Sequence, residues 1–380
     1  MLCCEIDKLR ENYIKLLETV CNIESPTDYK KGVDEVGKIF IDEALKQGWS
    51  VEALELENAG NPICITMNPD ATLPPVIFSG HIDTVHPIGL FPTPAVTVTE
   101  EKIYGPGTHD CKGGAVASFM AMEALKSCGF TSRPIKLILQ TDEETGSRTS
   151  GKKTVEFMIE KSRGAIAFLN TEAISKDNTV TLARKGIARY QLEVTGKAAH
   201  SASCATLGAS AILEAAYKII ELEKFKEEEG ITCNCGVISG GSVANTVAEK
   251  CTFIADFRHA DEEQLKIIEE TLERVAETVY THDTSCTVTK ISSRPSMPWR
   301  DKNINLFNRI NEIYAEYGLP ELKYKKGLGG SDAAYITLAD IPCIDSIGPF
   351  GSGGHTLNEY IYTKDVAECA RRLALIAMYI

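Results

Sequence analysis

Residues 135–147 read "IKLILQTDEETGS": an apolar run, Ile135 to Leu139, closed by three consecutive acids, Asp142, Glu143 and Glu144. Like charges set side by side repel and raise one another's pKa. A folded chain therefore places such a triplet either in a solvated turn or around a cation. Two similar runs lie nearby, Val76 to Phe78 in "PPVIFSGHIDTV" and Ala165 to Leu169 in "RGAIAFLNTE". Between the first run and the 135–139 run lies a helix-like stretch, "GGAVASFMAMEALKSCGF". Short strands this apolar, alternating with helices, imply an α/β fold with a mainly parallel mixed sheet and helices on both faces.

The pattern extends in both directions. Residues 6–47 carry helical periodicity, with Leu9, Tyr13, Leu16 and Leu17, then Val36, Ile39, Phe40 and Leu45. From about residue 187 the order changes to strand, helix, two strands, helix, strand, ending in "SCTVTKIS". That β-α-β-β-α-β order is the ferredoxin-like arrangement. After "SRPSMPWR" the α/β pattern resumes, with helices at 303–317 and 332–338, the strand "IPCIDSIG" and a last helix from about 363. The expected organisation is a catalytic domain in two parts, 1–185 and 296–380, with an inserted domain at 186–295.

The bulk properties narrow the function. A chain of 380 residues favours two domains. Its net charge of −13 and the lack of any basic stripe argue against nucleic acid and anionic membranes as partners. No apolar run is long enough to span a bilayer. The start, "MLCCEIDKLREN", lacks the basic head and apolar stretch of a secretory signal. Thirteen cysteines are scattered through apparent core segments, which fits reduced thiols in a cytoplasm. Cys233 and Cys235 in "CNC" share a strand face, but no second cysteine or histidine pair adjoins them in sequence, so they read as structural.

In open α/β sheets, ligands bind outside the carboxyl ends of the strands. Here those ends carry His81 and Asp83, then Asp142, Glu143 and Glu144, then Glu172. A late strand leads through "PFGSGGH" to His355, and "YGPGTHDCKGG" presents Asp110 before a helix. Histidines and carboxylates without cysteine suit zinc, and also cobalt or manganese. One carboxylate can bridge two ions in a two-metal hydrolytic site. Three carboxylate ligands against two dications leave one net positive charge, which a bridging hydroxide cancels. Asp83, two residues beyond His81 on an extended chain, can accept the imidazole N–H and fix its tautomer; the alternative is that Asp83 is itself a ligand. His86 and His109 flank ligands and are candidates to support them, whereas His259 and His282 read as structural or solvated.

The motifs "GHIDTV", "GPGTHDCKGG", "TDEETGS", "GKAAHS", "GLGGSDAAYI" and "GSGGHTLNEYI" occur in the order found in the co-catalytic di-zinc metallopeptidases. That family includes glutamate carboxypeptidase, aminoacylase, acetylornithine deacetylase and succinyl-diaminopimelate desuccinylase. The resemblance covers nearly the whole chain and is nearest to the glutamate carboxypeptidase branch. It implies two Zn2+ per subunit, with Co2+ or Mn2+ possible: His81 and Glu172 on one, Glu144 and His355 on the other, and Asp110 bridging. It implies that Glu143 is the general base, that Asp83 orients His81, and that His200 reaches a partner subunit's site to stabilise an oxyanion. It also implies that Asn245 and Arg258 grip the substrate's free carboxylate and that Gly329 and Gly330 allow close approach of substrate. Arg258 is open to a second reading, a salt bridge with Asp256 or Asp261. The sequence departs from the family pattern at "EAIS" after Glu172 and at Cys111, where many relatives carry Met.

The expected activity is hydrolysis of an amide or peptide bond next to a free carboxylate, as in a carboxypeptidase or dipeptidase, by a cytoplasmic homodimer. An N-acyl amino acid deacylase is the alternative. A non-catalytic, metal-stabilised dimeric scaffold would have no use for Glu143. A nucleotide site at "GPGTHDCKGG" lacks the strand-then-GxGxxG layout, and Asp110 would repel phosphate.

Overall fold

The computed structural model describes residues 2–227 and 229–380. They divide into two compact units, one of residues 1–182, 299–326 and 335–380, the other of residues 183–298 and 327–334.

The first unit is built on an eight-stranded sheet. From edge to edge its strands are Ser50–Ala53, Ile63–Met67, Ile135–Gln140, Val76–His81, Ala167–Asn170, Cys343–Asp345, Thr179–Arg184 and Lys323–Gly327. The four central strands run parallel, and antiparallel strands flank them. Every residue of Val76–His81, Ala167–Asn170 and Cys343–Asp345 is buried. Both faces are therefore covered, which is why these strands read as unbroken apolar runs. Helices Leu2–Cys21, Lys112–Ser127 and Thr363–Tyr379 pack on one another, each turning an apolar stripe inward. An aromatic nest seals this layer, with the Phe119 ring 4.9 Å from Trp49 and 6.1 Å from Phe40. Emptying such a site by Phe119→Ala would cost about 3–5 kcal/mol.

The helix Lys112–Ser127 starts against the sheet itself. A Cβ on Gly114 would fall 2.1 Å from the Thr171 carbonyl, so only glycine permits that approach. Asp110 is thereby brought beside the end of the strand that leads into Glu172.

The second unit has an antiparallel four-stranded sheet in the order Thr232–Gly240, Lys250–His259, Gly186–Thr195, Ser285–Arg294. Helices Ala211–Leu222 and Glu262–Glu277 pack on it. Burial alternates along Gly186–Thr195 and Lys250–His259, the period-two signature of a sheet with one face packed on helices. Leu192, Phe253, Phe257, Ile268 and Leu272 form its core. No helix among the described residues is long and apolar enough to cross a membrane, and all thirteen cysteines are free.

Candidate metal centre

Five separated segments of the first unit deliver their acids and histidines to one place. His81 ends its strand with its side chain 1% exposed. Its Nε2 lies 2.9 Å from Asp110 Oδ1 and 3.5 Å from Glu172 Oε1. On the other side of Asp110, Oδ2 lies 3.1 Å from His355 Nε2, which is also 3.2 Å from Glu144 Oε2. One carboxylate thus turns each oxygen to a different histidine, and each histidine has a further carboxylate of its own. The Asp110–Cys111 peptide is cis. His355 has φ of 64°, a left-handed backbone that a non-glycine residue adopts only where its surroundings impose it.

The triplet of acids at 142–144 splits by role. Asp142 is fully buried and takes no part in the cluster. Its carboxylate accepts hydrogen bonds from Ser150 N at 2.8 Å and Thr154 Oγ1 at 2.6 Å, which pins the following loop. Glu143 and Glu144 open a single turn of tight helix. Their backbone N–H groups, each 3.2 Å away, donate to the two oxygens of Asp83. Asp83 is fully buried and also accepts from the Thr27 hydroxyl at 2.6 Å. Its contact with His81 is shared: the Asp83 carbonyl is 3.1 Å from Nδ1 and its carboxylate 3.4 Å. The backbone carbonyl is therefore the nearer tautomer-fixing group, and the side chain chiefly organises the turn that carries Glu143 and Glu144.

Protonation reflects the crowding. Burial pushes Glu144 up to about 7, against the pull of His355 and His81. Burial, then Asp110, drives Glu172 well above the carboxylate range. The charge on Glu143 adds to both shifts. Hydrogen bonds to Asp110 and Glu144 raise His355 to about 10. Burial opposes a charge on His81, yet Cys111, Asp110 and Asp83 raise it well above the ordinary histidine value. The Cys111 thiol is itself pushed well up by burial, so it is neutral and the carboxylates are the effective partners. Burial works against ionising Asp110, but the two histidines hold its carboxyl far below the usual range. Protons on two histidines here balance acids that otherwise repel. Dications would do so more completely, and the donor set of imidazole nitrogens and carboxylate oxygens fits them.

One residue of the site was not singled out in the sequence. Glu359, 1% exposed, accepts from the backbone N–H groups of His109 at 2.9 Å and Asp110 at 3.0 Å, while its other oxygen lies 3.1 Å from His86 Nε2. It holds the backbone of the shared carboxylate. The signal was present, since Glu359 closes "HTLNE", but only the fold brings it to residues 109 and 110.

His200, Asn245, Arg258, Gly329 and Gly330 belong to the second unit. His200 is exposed and caps a short turn, Nδ1 accepting from Ala202 N at 3.2 Å. In the neutral ring this leaves the proton on Nε2. Asn245 is exposed next to it, its carbonyl accepting from Ser201 N. The Arg258 guanidinium pairs with Asp256, Nε to Oδ1 at 2.8 Å, and Arg189 shares that carboxylate. A Cβ on Gly329 would meet nothing within 4 Å, while one on Gly330 would meet the Arg294 side chain.

The geometry agrees with what the chain resembles. A family description, peptidase family M20/M25/M40, matches residues 77–379. The chain belongs to this family. It is accordingly a metal-dependent hydrolase of peptide or amide bonds. Carboxypeptidase G2 of Pseudomonas sp. (strain RS-16) is 28% identical over 373 residues, covering 97% of this chain and 88% of that protein. Succinyl-diaminopimelate desuccinylase of Orientia tsutsugamushi (strain Boryong) is 24% identical over 379 residues, covering 94% and 93%. Among solved structures, aminopeptidase PepT from Bacillus cereus superposes with a TM-score of 0.80 at 21% identity, covering 97% of this chain and 98% of that one. The metallo-carboxypeptidase Sso-CP2 from Sulfolobus solfataricus superposes with a TM-score of 0.75 at 16% identity, covering 97% and 99%. This M20-family chain therefore has the α/β fold with a mainly parallel central sheet expected from its sequence.

Proposed function

We propose that the protein is an exopeptidase that removes a residue bearing a free carboxylate, acting as a carboxypeptidase or dipeptidase with two Zn2+ ions. The observation that carries this reading is the placement of Asp110, whose two oxygens face two separate histidine–carboxylate pairs. His81 and Glu172 would hold one ion, His355 and Glu144 the other, and Asp110 both; Co2+ or Mn2+ would suit the same donors. The bound ions would supply Lewis acidity to the scissile carbonyl and acidify a water. Glu143 accepts the proton of the attacking water and returns it to the leaving amine. Asp83 keeps Glu143 and Glu144 in register through their backbone N–H groups and supports His81.

In this reading His200 donates from Nε2 to the developing oxyanion in the partner subunit's active site. Asn245 and Arg258 receive the substrate carboxylate, with Asp256 holding the guanidinium in a fixed plane. The Gly329–Gly330 backbone would allow close approach of substrate. A homodimer is supported by the exposed Ile212, Leu213, Tyr217 and Ile220 on one helix and Val237 and Ile238 on the edge strand beside it. Thirteen free thiols support a reducing cytoplasm. The partners are a small peptide or N-acyl amino acid, with neither nucleic acid nor membrane.

The test is a screen of free and N-acylated dipeptides and N-acyl amino acids with chelator-treated protein, before and after adding zinc, cobalt or manganese. Hydrolysis restored only by metal, and lost when the terminal carboxylate is amidated, is the expected result. Turnover indifferent to both chelator and amidation would overturn the proposal. Preference for N-acyl amino acids over dipeptides would move the assignment to a deacylase.

A further inference from the structure

The metal centre leaves one sequence motif unused, the Cys233-Asn234-Cys235 triplet. It lies at the start of the edge strand Thr232–Gly240, whose ladder with Lys250–His259 loses register between Asn234 and Val237. Both sulfurs are on the helix-covered face, Cys233 buried in the core of the second unit and Cys235 half-buried against it. Helix Ala211–Leu222 ends beside them, and its capping residue Glu223 turns back onto the strand. One Glu223 oxygen accepts the Cys235 backbone N–H, and the other accepts the Lys226 ammonium. A carboxylate oxygen of Glu223 and the two sulfurs lie within 4.8 Å of one another. The third donor, Glu223, lies ten residues upstream and is brought to the pair only by the fold.

We propose that Glu223, Cys233 and Cys235 form a second cation site for a thiophilic dication, Zn2+ or Cd2+, chemically distinct from the nitrogen–oxygen centre. Two thiolates are soft donors that select against Mg2+, Ca2+ and Mn2+. Binding displaces one proton from each thiol and transfers no electrons, and the fourth position is open to water. Two thiolates and a carboxylate on a dication carry one net negative charge. The Lys226 ammonium, fixed at the site by a 2.7 Å hydrogen bond to the Cys233 carbonyl, neutralises it. The Cys233 thiol is pushed up by its contact with the Cys235 sulfur and by burial, so it keeps its proton until a metal displaces it. The ion would tie the end of the helix to the edge strand where its ladder is interrupted.

The test is titration of the reduced, chelator-treated full chain with Cd2+, following sulfur-to-cadmium charge-transfer absorption. The expected absorption saturates at an ion held by two thiolates per chain. It is lost in Cys233→Ser/Cys235→Ser and in Cys235→Ala, with far-ultraviolet dichroism verifying that each variant is folded. Cys111→Ser is the necessary control, because Cys111 lies within 4.8 Å of His81 and Glu172; it leaves the signal intact. Absence of the signal, its survival in folded Cys235→Ala, or its loss in Cys111→Ser would overturn the proposal. So would a Cys233–Cys235 disulfide, detected as a loss of two hydrogens in mass, that forms in air and is not prevented by Cd2+.

Discussion

Replacing Asp83 by Asn isolates what its charge does, since the two side chains have the same shape. The carboxylate faces four donors: the Thr27 hydroxyl, the Glu143 and Glu144 backbone N–H groups, and His81 Nδ1. Asn offers one acceptor oxygen, so its amide must choose. With the NH2 at the Oδ1 position, Glu143 N loses its acceptor and His81 faces a donor. With the NH2 at Oδ2, the Thr27 hydroxyl can rotate to accept, and only Glu144 N is orphaned. The second orientation costs less, and one buried unsatisfied N–H costs about 1–3 kcal/mol. The turn carrying Glu143 and Glu144 then shifts, and metal affinity falls roughly 10- to 100-fold, about 1.4–2.7 kcal/mol. Thr27→Val removes one donor to the carboxylate and strands none of the others, so it costs about 1.5–3 kcal/mol of stability and leaves metal affinity nearly unchanged. Urea unfolding of chelator-treated protein and competition with a chromophoric chelator read the two quantities. Asp83→Asn equal to wild type in both assays, or with metal affinity no lower than that of Thr27→Val, would refute this account of the turn.

Other outcomes follow from the same contacts. Glu143→Gln keeps its metal content by elemental analysis but loses roughly 10²- to 10⁴-fold in turnover. Asp142→Ala strands Ser150 N and leaves the Thr154 hydroxyl only the Ser150 hydroxyl at 3.2 Å; unfolding stability drops by about 1–3 kcal/mol while metal content per folded molecule is kept. Glu359→Ala frees the backbone at 109–110 and weakens metal retention roughly 10- to 100-fold on dialysis, whereas Glu359→Gln, which keeps an acceptor for both N–H groups and donates to His86, is much milder. Without metal, stability falls as pH rises. Folded Glu144 at about 7 and His355 at about 10 both titrate above their unfolded values of 4.5 and 6.5, so their contribution is complete in acid and is lost from about pH 5 to about pH 10. The denaturation midpoint of chelator-treated protein against pH measures this, and adding zinc should restore most at the alkaline end.

How much of this was legible in the sequence depended on burial. Apolar runs such as Ile135–Leu139 announce central strands because both faces are covered, and the alternating "IARYQLEVTG" announces a sheet packed on one side. The edge strand Lys323–Gly327, "KYKKG", has almost no buried residue and gave no period to read. The small sheet that pairs Lys102–Tyr104 with Tyr360–Tyr362 joins segments too short for any periodicity. At the site, the acids and histidines at strand ends could be read because sheet topology gathers such ends. Only the family resemblance, and no pattern in the residues themselves, assigned roles to Glu143 and Glu144 among the three adjacent acids. Only the neighbours Ser150 and Thr154 mark Asp142 as a structural anchor, and only Asp83 marks the next two as a working pair. Glu359 escaped for the same reason, its contacts lying about 250 residues away along the chain.

The sharing of Asp110 has a thermodynamic corollary. Whatever occupancy of the His81 side does to the affinity of the His355 side, occupancy of the second must do equally to the first. If two ions bind as proposed, the first would draw on a carboxylate the second also needs and set a like charge beside it, so filling would proceed in two unequal steps. Under metal scarcity, the population would then pass through a half-loaded species with one ion and one vacancy.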